Sequence, residues 1–104
     1  MPDTRPIAEP LQAFLRALAS ETRQRILFLF MAQPHLTVGE VAAAVEISPS
    51  TASEHLAVLK RAGILVAWRS GKEVHYQPNR TAMLSLANEF VGYLTICCPP
   101  EPED

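Results

Sequence analysis

Ser48-Pro49-Ser50-Thr51-Ala52-Ser53-Glu54-His55-Leu56-Ala57-Val58-Leu59-Lys60-Arg61-Ala62-Gly63-Ile64-Leu65 is the stretch on which the reading of this 104-residue chain turns. Serine followed by proline is a helix start. The hydroxyl accepts from a backbone N–H further on, and the N–H that proline lacks is one the first turn leaves unpaired anyway. Leu56, Val58 and Leu59 supply a buried side, and Gly63 a stop. The opening turns offer Ser48, Ser50, Thr51, Ser53, Glu54 and His55, short donors and acceptors of the kind a helix needs in a DNA major groove. Lys60 and Arg61 follow, nearer a phosphate backbone.

Working upstream, Thr37 with Glu40 three residues on is a capping box, and Val38, Val41, Ala42 and Val45 give the short helix it opens a buried side. With Ile47 in the turn, two short helices in succession read as a helix-turn-helix. Downstream, Ile64 to Trp68 is β-prone, Ser70-Gly71 supplies a turn, and Val74-His75-Tyr76 resumes extended chain before Pro78. That hairpin, Trp68 to Tyr76, carries Arg69 and Lys72 at its tip and has the length and charge of a wing that grips phosphates.

The flanks complete a fold that is mainly α with a small β-hairpin: a winged helix-turn-helix of about five helices and a two-stranded wing. Leu11, Phe14, Leu15 and Leu18 follow Pro10 at helical spacing. Ser20 caps a second helix expected to run to about Ala32, with Pro34 beyond it. The last helix, from about Arg80 to Cys97, has two apolar stripes: Leu84/Ala87/Val91/Leu94 and Met83/Leu86/Phe90/Tyr93. One stripe is expected to cover the chain's own core and the other to meet a second subunit. Residues 1–9 are expected to form a flexible arm, 10–97 the DNA-binding and dimerisation domain, and 98–104 a Pro- and acid-rich tail.

Bulk properties agree with one modest domain. The chain is 48% hydrophobic and 19% charged, and it contains no apolar run of the roughly 20 residues a membrane span needs. With no signal-peptide layout and only two cysteines, adjacent to each other, a reducing cytoplasm is the expected setting, without a disulfide framework. The net charge of -2 conceals an asymmetry: residues 49–80 hold five basic side chains against two acidic ones, whereas 81–104 hold four acidic and none basic. A local basic segment docks on phosphates whatever the total, because the field decays over about 8 Å at cellular salt. An enzyme is disfavoured, since there is no Cys-x-x-Cys, no phosphate loop and no base set beside a nucleophile.

The 48–65 stretch together with Ala17-Leu18-Ala19-Ser20-Glu21-Thr22-Arg23-Gln24-Arg25-Ile26-Leu27 resembles the ArsR/SmtB repressors, over roughly residues 11 to 94. The resemblance implies a homodimer built from the first and last helices. It also implies a repressor that leaves its double-stranded operator DNA when an inducer binds, with no resident cofactor required.

Sensing sites differ among members of that family. No cysteine lies between Thr37 and Val45, where arsenite- and soft-metal-sensing relatives place theirs. Residues 80–96 contain Glu89 but no histidine or aspartate, so the last-helix zinc site is also missing. His35, His55 and His75 have no ligand spacing and are expected in polar or DNA-facing roles. Cys97 and Cys98 remain, at a helix end where Pro99 turns the second away from helical torsions, so both sulfurs could meet one atom. Soft thiolates select trivalent arsenic or antimony. Two thiols suit an organoarsenical such as methylarsenite, whose arsenic already carries one carbon; arsenite and antimonite come next. A redox or reactive-sulfur switch, a plain pair of buried cysteines, and a ligand-independent regulator are the alternatives. Against the redox reading stand the helix C-terminus and acidic tail, which disfavour thiolate, and the strain expected of an adjacent-residue disulfide.

Overall fold

Each helix but the first starts where the sequence offers a side-chain partner for its leading N–H groups. The computed structural model describes residues 5–103. The first four residues of the expected arm, and Asp104 of the tail, lie outside the described residues. Helix α1 (Glu9–Leu18) has no side-chain cap and carries Pro10 in its first turn. Ser20 Oγ accepts from Arg23 N–H at 3.3 Å and opens α2 (Glu21–Leu29). The Thr37/Glu40 box is formed in both directions at α3 (Val38–Val45), with Thr37 N–H to Glu40 Oε1 at 2.9 Å and Glu40 N–H to Thr37 Oγ1 at 3.3 Å. Ser48 caps α4 (Pro49–Arg61), and Asn79 caps α5 (Arg80–Cys97) by accepting from Ala82 N–H at 3.1 Å.

Two helix ends share one motif with different residues. After α4, Gly63 takes φ +79°, Ile64 N–H reaches Leu59 C=O at 3.0 Å and Gly63 N–H reaches Lys60 C=O at 3.0 Å. After α3 the left-handed position is held by Glu46, at φ 58° and ψ 49°, with Ile47 N–H on Ala42 C=O at 3.1 Å. This is the turn of the helix-turn-helix, and its left-handed residue has a Cβ. Helix α2 ends at Leu29, short of the expected Ala32. The N–H groups of Met31 and Ala32 bond only three residues back, so the chain tightens into turns there.

The sheet has three strands where the sequence suggested two. β2 (Leu65–Ser70) and β3 (Glu73–Pro78) form the expected antiparallel hairpin, closed at Ser70↔Glu73 around Gly71 and Lys72. β1 (Leu36–Thr37) adds to the other side of β3, giving the order β1-β3-β2, with Tyr76 paired to both Leu36 and Ala67. Gly71, at φ +62°, makes the two-residue tip accessible to the backbone.

The core draws Leu11 and Phe14 from α1, Ile26 from α2, Val41 from α3, Leu56 and Leu59 from α4, and Ile64, Leu65 and Tyr76 from the wing. Helix α5 packs on α1 and contributes Met83, Leu86 and Phe90 to the edge of this core, yet none of its residues is buried. Its other stripe faces solvent, with Leu84 46% exposed, Leu94 47% and Val91 58%. The radius of gyration is 16.8 Å, well above the ~13 Å of a compact chain this long, and the molecule extends 56 Å along its major axis.

Candidate nucleic-acid interface and sulfur pair

The first turn of α4 contains Pro49, Ser50 and Thr51 and no carboxylate. The positive end of the helix dipole is therefore left open for an external anion such as a phosphate. Ser48 Oγ serves the helix itself. It accepts from Thr51 N–H at 3.2 Å, donates to Thr51 Oγ1 at 2.9 Å and lies 3.2 Å from Ser50 Oγ. Ser50, Ser53 and Glu54 are exposed on one side of the helix, with Thr51 half-buried beside them. Lys60 and Arg61 occupy the far end, about 15–20 Å along the axis, where their charge complements the negative end of the dipole.

Arg69 and Lys72 are exposed on the wing. The wing tip lies against the start of α3: Lys72, Glu73 and Val74 share a hollow of about 300 Å³ with Thr37, Val38 and Gly39. Both helices of the helix-turn-helix thus start near exposed polar or basic side chains, and the geometry suits contact with a polyanion.

Three of the residues singled out from sequence also have neighbours within the chain that the sequence did not suggest. His55 is half-buried on the flank of α4, with Nδ1 3.3 Å from Arg23 Nη1. Arg61 lines a cleft between α1 and α4. His75 belongs to a ring cluster at the base of the wing, stacked on Trp68 with 5.6 Å between centroids and edge-on to His35 at 5.4 Å. Its Nδ1 is buried without a hydrogen-bond partner, and its Nε2 is 3.9 Å from Glu73 Oε2. The sequence reading did not single out Arg23. It donates through Nε to Ala17 C=O at 2.7 Å and through Nη2 to Arg16 C=O at 3.2 Å. The signal available was an arginine placed just after a helix C-terminus, which local spacing alone does not distinguish from a surface charge.

The sulfurs of Cys97 and Cys98 are bonded to each other, where the sequence suggested free thiols. Cys98 leaves the helix in an extended conformation, φ -130° and ψ 107°, as the following Pro99 requires. The same departure that would let two thiols share an acceptor atom lets them join. Both residues are exposed, and among the described residues no group of three or more His, Cys, Asp or Glu side chains is arranged to hold a metal ion. None of the described helices is long and apolar enough to cross a membrane.

A sequence model of the bacterial regulatory proteins of the arsR family matches residues 20–66, from the cap of α2 into β2. The arsenic resistance transcriptional regulator ArsR1 of Pseudomonas putida is 40% identical over 62 residues, covering 60% of this chain and 48% of that protein. The transcriptional activator HlyU of Vibrio cholerae is 34% identical over 79 residues, 73% of this chain and 72% of that protein. Among solved structures, a homodimeric winged helix-turn-helix DNA-binding domain from Mycobacterium bovis superimposes with a TM-score of 0.67 at 26% identity, over 91% of this chain and 88% of that one. The chain spans about half the length of ArsR1, of the arsenical resistance operon repressor of Escherichia coli and of the CadC homolog of Staphylococcus aureus. The family is one of transcriptional regulators, not enzymes. A winged helix-turn-helix whose matched segment runs from the α2 cap into the wing, with a relative aligned over most of both chains, makes this protein a member of the arsR family of bacterial regulatory proteins.

Proposed function

We propose that the chain is a homodimeric transcriptional repressor that binds operator DNA and releases it when a trivalent arsenical occupies the reduced Cys97–Cys98 pair. The observation that carries the DNA-binding part is the carboxylate-free start of α4, with Ser50, Ser53 and Glu54 exposed beyond its cap. In this reading Ser50, Thr51, Ser53 and Glu54 meet base edges and nearby phosphates, while Arg69 and Lys72 hold flanking phosphates. The outward stripe of α5 joins two copies, which sets the spacing of the two reading heads. Relatives named for arsenic resistance support the choice of inducer class.

The bonded sulfurs favour a second reading, in which the same pair is a thiol-redox switch. Both readings require the dithiol as one of the two states, and they differ in what ends DNA binding. The relative HlyU is named as an activator, so the sign of regulation is also part of the test.

Fluorescence anisotropy on operator fragments from upstream of the chain's own gene separates these readings. Reduced protein is titrated with methylarsenite, phenylarsenite, arsenite, antimonite, zinc and peroxide, beside a Cys97→Ser/Cys98→Ser variant. Release by trivalent arsenicals that the variant loses supports metalloid sensing, and their ranking decides organic against inorganic. Release by peroxide alone supports the redox reading. Binding that no agent alters overturns both sensing schemes, and a promoter fusion reports repression or activation.

A further inference from the structure

The cleft between α1 and α4 lies far from the sulfur pair in sequence, and its chemistry differs. It has a volume of about 420 Å³ and is lined by the small apolar residues Ala13, Ala17, Val58 and Ala62 together with Arg16, Arg23 and Arg61. Three cations beside small apolar residues need counter-charge. Glu9 supplies one carboxylate, and it bonds Arg16 at 2.6 Å. The Arg61 side chain is exposed and makes no hydrogen bond or ion pair among the described residues. Arg23 has three N–H groups engaged by Ala17 C=O, Arg16 C=O and His55 Nδ1, which leaves two of its five donors.

The cleft continues past Ala13, Arg61 and Ala62 into a second hollow of about 580 Å³, whose far wall includes Gly63, Ala82 and Leu86. A carboxylate head between Arg61 and Arg23 would therefore have a mainly apolar path for a small body, running toward α5 past Ser85 and the Arg16-paired Glu9. The volumes fall in the range of small-molecule sites, and paired guanidinium donors match a carboxylate's two oxygens.

We propose that this cleft is an effector site for a small organic monocarboxylate, an acid with one aromatic ring or a short acyl chain, and that its occupant acts on DNA binding through Arg23. Arg23 lines the cleft and also holds His55 of the recognition helix, so a ligand that recruits its guanidinium competes with that link. Helices α1 and α5, which the dimer reading uses, form the other walls. An occupant thus contacts both the dimerising helices and α4, and shifts the balance between their arrangements by its differential affinity for them. The effect on DNA rests on the function proposed above; occupancy of the cleft does not.

The whole 104-residue chain is tested by thermal denaturation and calorimetry with sodium benzoate, phenylacetate and hexanoate. Benzamide serves as the neutral counterpart, and sodium chloride as the ionic-strength control. The expected result is a midpoint rise with at least one carboxylate, none with benzamide or chloride, and loss of the rise in Arg61→Ala. Perturbation of the Arg23 Nε–H and His55 ring resonances on addition of that carboxylate is expected as well. On a bound operator fragment, the same carboxylate is expected to weaken affinity at least threefold in the wild type and not in Arg61→Ala. No response to any of the three acids, or an equal response in Arg61→Ala or with benzamide, overturns the site. Selective binding without a change in DNA affinity overturns the coupling through Arg23. If the unliganded protein binds no duplex, the proposed function fails, and the calorimetry alone still decides the site.

Discussion

Arg23 donates through Nη1 to Nδ1 of His55 across 3.3 Å, joining the first turn of α2 to the middle of α4. A guanidinium has no acceptor, so His55 Nδ1 carries the lone pair, and the proton of the neutral ring sits on Nε2. The same side chain bonds Arg16 and Ala17 C=O at the end of α1, where Arg16 C=O also accepts from the Ala19 N–H at 3.3 Å. One residue therefore references the recognition helix to α1.

Replacing Arg23 by methionine keeps the stem and removes all three bonds. Hydrogen bonds from charged donors contribute about 1.5–3 kcal/mol, but these carbonyls can take up water because the site is only partly buried. A net loss of about 1–2 kcal/mol in urea denaturation is expected. His55→Phe should cost less in the Arg23→Met background than in the wild type, by at least about 0.5 kcal/mol. Strict additivity of the two substitutions would show that the pair does not act together.

Glu46 should be a stability defect that glycine repairs. Its φ of 58° places a side-chain-bearing residue where Gly63 sits in the equivalent turn after α4. A left-handed L residue costs roughly 1–2 kcal/mol, and the greater freedom of glycine in the unfolded chain offsets part of this. Glu46→Gly is expected to raise stability by about 0.5–1 kcal/mol, while Glu46→Ala, which keeps a Cβ, gains nothing. A denaturation midpoint for Glu46→Gly at or below that of the wild type would refute the strain argument.

The contrast between those two turns shows what the sequence makes legible. Gly63, Ser20, the Thr37/Glu40 box and the Ser48-Pro49 start each act within four residues, and the elements they bound appear where local chemistry puts them. The two stripes of α5 were readable too, since Met83, Leu86 and Phe90 turn inward and Leu84, Val91 and Leu94 outward. β1 was not readable: Leu36 and Thr37 are a strand only because Tyr76 and His75, some forty positions away, pair with them. The Arg23–His55 link, the ring cluster at the wing base and the turn of Arg61 into the cleft are likewise tertiary facts. In the candidate site, residue types were legible and side-chain partners within the chain, such as Arg23 beside His55, were not.

Acid should act on α3 through its capping box. Glu40 is held below the ordinary carboxylate range, first by the Thr37 backbone N–H it accepts and then by the Thr37 hydroxyl. Because the folded value is the lower one, its contribution is complete above the unfolded value and is lost as pH falls through the folded value. Glu40→Gln should therefore lie furthest below the wild type near neutrality and converge with it in acid. Thr37→Ala, which removes the cap, should cost about 1 kcal/mol at neutral pH. A gap between Glu40→Gln and wild type that stays constant from neutral pH down to acid unfolding would exclude the box as its source.

The outward stripe of α5 gives the proposed dimer its own test. Val91→Glu and Leu94→Glu place carboxylates on a face that is about half exposed, Val91 58% and Leu94 47%. Sedimentation is expected to show a monomer for either variant where the wild type is a dimer, with the circular dichroism spectrum of the folded helices retained. Monomers that keep wild-type operator affinity would break the link between dimerisation and paired half-sites.

Phosphate contacts and base contacts are separable by salt. Each lysine or arginine that neutralises a phosphate releases condensed counterions, so its loss lowers the slope of log affinity against log salt by about 1. Lys72→Ala and Arg69→Ala each remove one such contact from each protomer of the proposed dimer, so each is expected to lower that slope by about 2 and to weaken cognate and unrelated duplexes alike. Ser53→Ala, on the exposed side of α4, should leave the slope unchanged and narrow the gap between operator and unrelated DNA, by about 1–3 kcal/mol if it holds a base edge. If the slope instead follows Lys60→Ala and Arg61→Ala and ignores the wing, the phosphate track runs along the far end of α4. The two residues at that end would then be contacts to DNA rather than complements of the helix dipole.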